Sequence, residues 1–319
     1  MINETAQNYL DTIEKNCKEI NPLLAINCIT YNHGKFLQKA LDGFVMQKTD
    51  FPFVAIVHED ASTDNTTEIL KQYAEKYPEI IFPIYETENQ YSKRDGSLSE
   101  IMNKAMELTG AKYIAMCEGD DYWTDTLKLQ KQVDFLESHP DYSMCFHNAI
   151  VHYQDSDKPD KYFNKNSYEG EFDKERILKG WNFVTASIVV RQEVMTHELF
   201  IKCGKSKNIM VGDVSLVLTC GYLGKIYYFK DAMSIYRNNS TNWTNTYIPE
   251  RTYKFILQDI EYLKIFKDIY RADLQRELSN KIYEVINLIR KRKFQKALEV
   301  FFKILYYAPK QTLKKFFLN

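Results

Sequence analysis

Residues 113–123 read Tyr-Ile-Ala-Met-Cys-Glu-Gly-Asp-Asp-Tyr-Trp, an apolar run followed by three acidic side chains within four positions. The apolar part has the length and continuity of a strand buried on both faces of a sheet. Carboxylates crowded at the end of such a strand repel one another and lose hydration, and a divalent cation with oxygen ligands relieves both effects. The stretch therefore predicts a cation site at the carboxyl edge of a sheet, where open α/β sheets bind ligands. The structural alternative is a loop of solvated acids that leads into a helix.

Upstream of this stretch, apolar runs alternate with helical patterns. Three runs predict strands, at 23–29, 53–57 and 80–85. Apolar residues at helical spacing follow each run, and this alternation predicts a doubly wound α/β fold with a mostly parallel sheet. Because Pro83 cannot donate to a ladder, the third strand should not be central. Three polar loops should then meet at one edge of the sheet, at 30–34, 58–64 and 118–121.

The composition limits the classes of protein that remain. The chain has 319 residues, 45% of them hydrophobic, which is enough for one large domain with appendages or two small domains. A formal net charge of −1 provides no field for nucleic acid, so no nucleic acid partner is expected. Six cysteines without a Cys-x-x-Cys pair indicate reduced thiols. No apolar signal segment or membrane-spanning run is found, so we expect a cytoplasmic protein.

Three motifs, in their order and spacing, resemble family 2 glycosyltransferases of the GT-A fold, of the bacterial cell-surface polysaccharide type. They are Ile29-Thr30-Tyr31-Asn32, Glu59-Asp60-Ala61-Ser62-Thr63-Asp64 and Glu118-Gly119-Asp120-Asp121-Tyr122-Trp123. The similarity covers about residues 23–245. Each motif is weak by itself and the series is specific. The lack of a glycine-rich dinucleotide or phosphate loop agrees with this resemblance.

The resemblance implies transfer of a sugar from a nucleotide diphosphate sugar to a hydroxyl acceptor, with inversion. Thr30 and Asp60 would contact the nucleoside base, and Glu118 would face the ribose. Asp120 would ligate Mn²⁺ or Mg²⁺ bridging the diphosphate, with Asp121 as a supporting acid. The residues implied to bind the nucleotide sugar are Thr30, Tyr31, Asn32, Glu59, Asp60, Ser62, Asn103, Glu118 and Arg237. A UDP-sugar is the favoured donor, and GDP and dTDP remain open.

The chain departs from the common motifs at Glu59, Ala61 and Glu118, where relatives usually carry Asp, Gly and Asp. The extra methylene of Glu118 moves its carboxylate by about a bond length, which suits a ribose contact better than tight octahedral Mg²⁺. Asp120 is therefore the expected principal metal ligand. Asn239 stands near the place where many relatives have histidine. Whether the protein supplies a second metal ligand at that place is therefore left open.

The resemblance places the catalytic base on an acidic residue before a helix, and the candidate is Asp213. A carboxylate there can take the acceptor proton, and the alternative is a helix N-cap. Arg237 would clamp the diphosphate with its planar donors, and the alternative is a surface arginine. Trp181 and Trp243 are weaker candidates for stacking on an acceptor sugar. Phe183 and Trp123 are expected in the core, while His147 and Asn148 could face the acceptor.

We expect four segments along the chain. They are an N-terminal helical segment 1–22, a nucleotide-sugar-binding half 23–118, an acceptor or catalytic half 119–249, and a helical, basic and aromatic region 250–319. Residues 290–319 carry nine Lys or Arg residues against Glu299 alone, interleaved with aromatics. Such a segment can lie peripherally on the cytoplasmic membrane face, near a glycan or lipid-linked acceptor. Its alternative is a helix that packs its aromatics on the catalytic domain.

Two other classes of function remain open. A sugar-phosphate nucleotidyltransferase would usually need a glycine-rich basic loop near its N-terminus, and residues 30–35 do not supply one. A non-catalytic binding protein on the same fold would more plausibly have lost the acids. Glu118 and Asn239 leave some room for that second class.

Overall fold

The structure is a computed structural model, and part of the chain is described by it. The described residues are 2–93, 95–165, 168–173, 176–177, 183–209, 212–238, 249–266, 270–281, 294–309 and 311–312. Trp181, Asn239, Trp243 and residues 282–293 of the predicted helical region lie outside the described residues.

A single mixed sheet carries the fold. Its strands are β1 Leu24–Thr30, β2 Phe53–Glu59, β3 Ile81–Tyr85, β4 Tyr113–Met116, β5 Tyr122–Trp123, β6 Tyr142–Tyr153, β7 Lys161–Tyr162, β8 Gly170–Glu171, β9 Val189–Arg191 and β10 Lys225–Asn238. The strand order is β3-β2-β1-β4-β9-β6-β10-β5, with β7 beside β6 and β8 beside β10. β1 pairs in parallel with β2 and β4, whereas β9 is antiparallel to its neighbours. The predicted mostly parallel α/β fold is confirmed, and the Pro83 strand lies at the edge.

Helices cover both faces of this sheet. They are α1 Glu4–Ile20, α2 Leu37–Val45, α3 Thr66–Lys76, α4 Gln90–Lys93, α5 Ser97–Leu108, α6 Lys128–Ser138, α7 Gln192–Thr196, α8 Glu198–Gly204, α9 Gly212–Leu223, α10 Pro249–Ile265, α11 Arg271–Asn280 and α12 Phe294–Tyr307. Among the residues described, no helix combines the length and apolarity needed to cross a bilayer.

Two hydrophobic cores result from the alternation of side chains along the central strands. In β2, Val54 and Ile56 belong to one core while Ala55 and Val57 belong to the other. The first core collects residues from α1, α5 and the helices from α7 onward, and the second collects residues from α2, α3 and α6. Because both faces are covered, the central strands read as nearly continuous apolar runs.

Trp123 fixes the strand that follows the acidic motif. Its side chain is buried, its Nε1 donates to the Ala186 carbonyl at 2.8 Å, and its ring lies 5.0 Å from that of Phe44. The Nζ atom of Lys128, also buried, lies 4.0 Å from the Trp123 ring centroid. Trp123 is therefore a packing residue, as predicted, and Phe183 is buried as well.

All six cysteines are free and buried, in agreement with the reduced thiols predicted. Burial raises the pKa of Cys17 and of Cys203 to about 11, and that of Cys145 to about 12. The pKa values of Cys28, Cys117 and Cys220 are raised for the same reason. These thiols therefore act as small apolar core groups.

Candidate active site

The three predicted loops meet at one edge of the sheet. The parallel ladders continue past the ends of the strands, since Asp60 N–H donates to the Thr30 carbonyl and Gly119 N–H donates to the Ile29 carbonyl, both at 3.0 Å. The loops after β1, β2 and β4 are thus held side by side. This is the carboxyl edge at which a doubly wound sheet binds ligands.

The loops after β1 and β2 are also bound to each other through side chains. Asn32 N–H donates to Ser62 Oγ at 2.9 Å, and Asn32 Oδ1 accepts from Thr63 N–H at 2.8 Å. Gly34 N–H donates to Asp64 Oδ2 at 2.9 Å. A side chain at Gly34 would collide with Asn65, because a Cβ atom there would lie 1.9 Å from Asn65 Oδ1. Asn32 and Ser62, predicted to bind the nucleotide sugar, therefore fix the loop geometry in this structure.

The turn at Ala61 carries a backbone conformation that suits glycine. Its φ is 59°, in the left-handed region, and Glu59 Oε1 accepts from Ser62 N–H at 2.7 Å across the turn. An L-residue in this region costs roughly 1–2 kcal/mol. Because Ala61 stands where relatives usually have glycine, the backbone of this loop is strained at Ala61.

Asp60 is buried and serves as the acceptor for a segment that the sequence analysis missed. Its Oδ1 accepts from Gln90 N–H at 2.6 Å and its Oδ2 accepts from Tyr91 N–H at 3.0 Å. Asn89 Nδ2 donates to the Asp60 carbonyl at 3.1 Å. Asp60 thus holds residues 89–91 against the loop after β2. Backbone donors leave no signal in the sequence that could have revealed this contact.

Gly119 allows the acidic motif to lie directly against the loop after β1. A Cβ atom at this position would lie 2.7 Å from Thr30 Oγ1 and 3.0 Å from His33 Nδ1. Both of these polar atoms are buried, and neither has a hydrogen-bond partner within the described part of the chain. Burial lowers the pKa of His33, against the opposing effect of Asp120. Two unsatisfied polar atoms beside the acids are consistent with a ligand at this place.

The acids of the motif repel one another. Glu118 is exposed, yet its pKa is raised by its partial removal from bulk water and then by the charges of Asp120 and Asp213. Asp121 is buried, and its pKa is raised by burial and then by Asp120. One favourable contact partly offsets this, because Asp121 Oδ1 accepts from Arg237 N–H at 2.8 Å.

This donor set fits a hard divalent cation that is shared with a substrate. Glu118 and Asp120 offer carboxylate oxygens two positions apart in the sequence, while Asp121 is held by the Arg237 backbone. Within the described ranges, no group of three or more His, Cys, Asp or Glu side chains is arranged to hold a metal. Mg²⁺ commonly binds through one or two carboxylates, with phosphate oxygens and water completing its shell. The residues present fit that arrangement.

Asp213 lies in the first turn of α9, which begins at Gly212 rather than after Asp213. Its side chain is half-buried, its Oδ1 accepts from Val214 N–H at 2.7 Å, and its charge acts on Glu118. Removal from water raises the pKa of Asp213 to about 6. A carboxylate with a pKa near neutrality is suited to general base chemistry.

Arg237 is buried, with 4% of its surface exposed, so the alternative of a surface arginine is wrong. Its guanidinium carbon lies 4.6 Å from the Tyr122 ring centroid and 5.2 Å from that of Phe36. Its Nη1 donates to Gln154 Oε1 at 3.1 Å. Neither aromatic residue nor Gln154 was expected near Arg237, because they are distant in sequence. The predicted diphosphate clamp stays a prediction.

The remaining candidates occupy varied positions. Tyr31 is exposed in the loop after β1. Tyr91, which the sequence analysis missed, is exposed, and its backbone N–H donates to Asp60. Asn103 is half-buried on α5. His147 and Asn148 are buried, so they do not line an open acceptor site.

Comparison with known families identifies the class of the protein. The family model described as "Glycosyl transferase family 2" matches residues 26–196. The chain belongs to this family, as the motifs indicated. The match includes the loops that carry Thr30, Asp60 and Asp120, whereas Asp213 and Arg237 lie beyond it.

Individual relatives agree with this assignment. An uncharacterized protein of Mycobacterium tuberculosis is 34% identical over 232 residues, which are 72% of this chain and 63% of that protein. The chain thus spans less than two thirds of the length of this relative. A Bacillus subtilis protein, TuaG, named as a teichuronic acid biosynthesis glycosyltransferase, is 31% identical over 36% of this chain and 42% of its own.

Among solved structures, residues 1–349 of Staphylococcus aureus TarS in complex with UDP-GlcNAc have the same fold. The TM-score is 0.62 at 18% sequence identity, over 91% of this chain and 82% of that one. The predicted GT-A fold is therefore confirmed.

The strained turn at Ala61 generates a stability prediction. We expect Ala61→Gly to raise the free energy of unfolding by about 0.5–1 kcal/mol, because relief of the left-handed strain exceeds the added backbone entropy of glycine. Ala74→Gly, inside α3, should lower it by about 1 kcal/mol. Urea unfolding of both variants and the wild type measures the difference. A loss of stability in both variants would show that Ala61 is not strained.

The raised pKa of Asp213 generates a pH-dependent prediction. The folded state keeps the Asp213 proton up to about pH 6, whereas the unfolded state loses it near the ordinary pKa of aspartate. The free energy of unfolding of the wild type should therefore fall as the pH rises from that ordinary pKa to about 6. Asp213→Asn lacks this loss, so its advantage over the wild type should grow to about 1–3 kcal/mol at pH 7.

Urea unfolding at pH 4.5 and pH 7 tests this expectation. Asp231→Asn, at an exposed position, is the matched control and should show no such growth. An advantage of Asp213→Asn that is equal at both pH values would contradict a raised pKa.

Proposed function

We propose that the protein is a metal-dependent, inverting glycosyltransferase. It would move a sugar from a nucleotide diphosphate sugar, with a UDP-sugar favoured, to a hydroxyl of a glycan or lipid-linked acceptor in cell-surface polysaccharide synthesis. The observation that carries the proposal is that Glu118, at the carboxyl edge of a family 2 fold, interacts electrostatically with both Asp120 and Asp213. The name of TuaG supports the polysaccharide setting.

The nucleoside would lie between the loops after β1 and β2. Thr30 has a buried hydroxyl without a partner among the described residues, and Asp60 fixes the wall formed by residues 89–91. Tyr31 and Tyr91 offer exposed rings on which a base can stack. Glu118 would accept from the ribose hydroxyls. The UDP-GlcNAc bound by TarS supports UDP as the nucleotide.

Asp120 would hold Mn²⁺ or Mg²⁺, with Asp121 as a supporting acid beneath it. When bound, such an ion neutralises negative charge on a departing diphosphate. The mutual repulsion of Glu118 and Asp120 favours cation binding, because the cation cancels the like charges that raise the pKa of Glu118. Asp121 accepts from the Arg237 backbone, which holds the motif against β10.

Asp213 would act as the base. Its carboxylate would take the proton of the acceptor hydroxyl as the oxygen attacks the anomeric carbon on the face opposite the diphosphate. One displacement of this kind inverts the anomeric configuration. With a pKa of about 6 the carboxylate is ionised near neutral pH and still accepts a proton readily.

A sugar-phosphate nucleotidyltransferase and a non-catalytic binding protein are the competing proposals. The family match disfavours the first, and retention of the acids disfavours the second. Incubation with Mn²⁺ and a panel of sugar nucleotides, with and without acceptor glycans, separates the three. Nucleotide release that rises with acceptor indicates transfer, whereas a nucleotidyltransferase would form a sugar nucleotide from a nucleoside triphosphate and a sugar phosphate.

Two substitutions test the assigned roles of the acids. Asp120→Asn should lower metal-dependent nucleotide release at least about a hundredfold, because the principal metal ligand is weakened. Asp213→Asn should keep the affinity for UDP and Mn²⁺ and lower transfer at least about a hundredfold, because the base is removed. Calorimetry and coupled nucleotide-release assays measure these effects.

The control for both substitutions is Asp231→Asn, an identical change at an exposed position, which should leave both readouts unchanged. Transfer retained by Asp213→Asn would refute its role as the base. Metal dependence retained by Asp120→Asn would refute its role as the ligand.

We further propose that α12 rests on the cytoplasmic face of an anionic membrane. The inner side of α12 is buried in the core through Ala297 and Val300. Its outer side presents an apolar stripe, Leu298, Phe302 and Tyr306, exposed by 58%, 62% and 77%. These apolar side chains are exposed at successive turns of the helix, and the surrounding region carries nine basic residues against one acid. This combination is typical of a helix that lies on an anionic membrane surface.

Vesicle binding tests the membrane proposal without disturbing the buried side of α12. The wild type should sediment with vesicles of equal phosphatidylglycerol and phosphatidylcholine, and added salt should weaken the binding. The triple substitution Leu298→Gln, Phe302→Gln and Tyr306→Gln should lower binding at least about tenfold, since it removes the apolar surface.

The control carries Tyr162→Gln and Tyr168→Gln, two exposed aromatics on another part of the surface. It should bind vesicles as the wild type does. Equal binding by the triple variant and the wild type would defeat the membrane proposal, as would equal binding to pure phosphatidylcholine.

A further inference from the structure

A cation-rich cavity lies beside the acidic motif, between the start of α2 and the end of β6. Its volume is about 300 Å³, and its walls include Lys35, Lys39 and Arg237. Asp155 is the one acid among the described residues that line it. The walls therefore carry three positive charges against one negative charge. Such an excess in a concave space favours an anionic ligand.

Two of the basic groups of the cavity, on Arg237 and Lys39, lie near aromatic rings. The Arg237 guanidinium is close to the rings of Phe36 and Tyr122, and the Lys39 Nζ atom lies 5.3 Å from the centroid of the same Tyr122 ring. Arg237 Nη1 donates to Gln154 Oε1, so the guanidinium is fixed before any ligand arrives. Phe36 also lines the cavity. A fixed planar donor group beside an aromatic face is suited to a carboxylate or phosphate carried on a sugar.

The two lysines remain available to a ligand. Lys35 and Lys39 are exposed and stand four residues apart at the start of α2. Neither forms an ion pair with any residue that the structure describes. By contrast, His152 in the same wall is already paired with Asp160 at 2.9 Å. Lys35 and Lys39 are therefore the groups whose charge a ligand would neutralise.

This cavity is separate from the place proposed for the metal. A donor diphosphate held through a metal would have to reach Asp120. The described lining of the cavity, however, does not include Glu118, Asp120 or Asp213. The Arg237 backbone binds Asp121 while its guanidinium lines the cavity. The cavity thus adjoins the transfer site without sharing its acids.

We propose that this cavity binds an anionic group of the acceptor, a phosphate or a sugar carboxylate. The inference rests on the proposed transferase function and specifies its acceptor as a negatively charged glycan. Lys35 and Lys39 would supply point charges, and the Arg237 guanidinium would supply directed donors to this group instead of to the donor diphosphate. The acceptor hydroxyl would then be held near the acids by an anchor that does not contact the metal.

The binding experiment uses the full chain with inorganic phosphate, D-glucuronate and neutral D-glucose as probes. The variant Lys35→Gln with Lys39→Gln removes two charges from the cavity. Lys15→Gln with Lys48→Gln removes two charges from exposed positions elsewhere and is the matched control. Backbone amide NMR shifts locate each probe and give its dissociation constant, and a parallel titration measures UDP with Mn²⁺.

We expect phosphate or glucuronate to shift the amides of Lys35, Lys39 and Gln154, with no such effect of glucose. The cavity variant should bind that anion about tenfold more weakly, as expected for the loss of charge-assisted contacts. The control variant should bind it unchanged, and UDP with Mn²⁺ should bind all three proteins equally. The stronger of the two anions identifies the group, phosphate or carboxylate.

Equal weakening in the cavity and control variants would overturn the proposal, and so would a parallel loss of UDP affinity in the cavity variant alone. The second result would assign the cavity to the donor. Failure of UDP with Mn²⁺ to bind the wild type would instead overturn the proposed donor site, while the comparison of the two lysine variants would still decide whether the cavity takes anions.

Discussion

The parallel pairing of β1 with β2 on one side and β4 on the other is the constraint on which the candidate site depends. The register joins Thr30 to Glu59, and the ladders continue into the loops through the N–H groups of Asp60 and Gly119. Residues that are far apart in sequence therefore reach one edge of the sheet without long connections. A shift of one residue in either pairing would turn the acids to the opposite face.

Removal from water and, for Glu118 and Asp121, repulsion by neighbouring acids oppose this arrangement. The raised pKa values of Glu118, Asp121 and Asp213 all indicate that their ionised forms are disfavoured in the fold. The hydrogen bond from Arg237 N–H offsets part of the effect at Asp121. The acids of the candidate site thus lower the local stability of the fold, as functional residues commonly do.

The fold could be predicted because apolar runs mark the buried strands and because Pro83 marks an edge. The acids could be predicted because they follow those runs directly. Three features could not be predicted. The Asp60 carboxylate accepts hydrogen bonds from the backbone N–H groups of Gln90 and Tyr91, and backbone N–H groups occur in every sequence. The burial of Arg237 depends on rings that only the folded chain brings near it, and the elevated pKa of Asp213 depends on the shape of its surroundings.

The burial of all six cysteines has a practical consequence for spectroscopy. With pKa values raised by burial, the native thiols present almost no thiolate to a maleimide reagent at neutral pH. A single cysteine introduced at an exposed position such as Tyr31 would then be the selective point of attachment. A fluorophore or spin label placed there would report on the proposed nucleoside site in a chain whose native thiols are all retained.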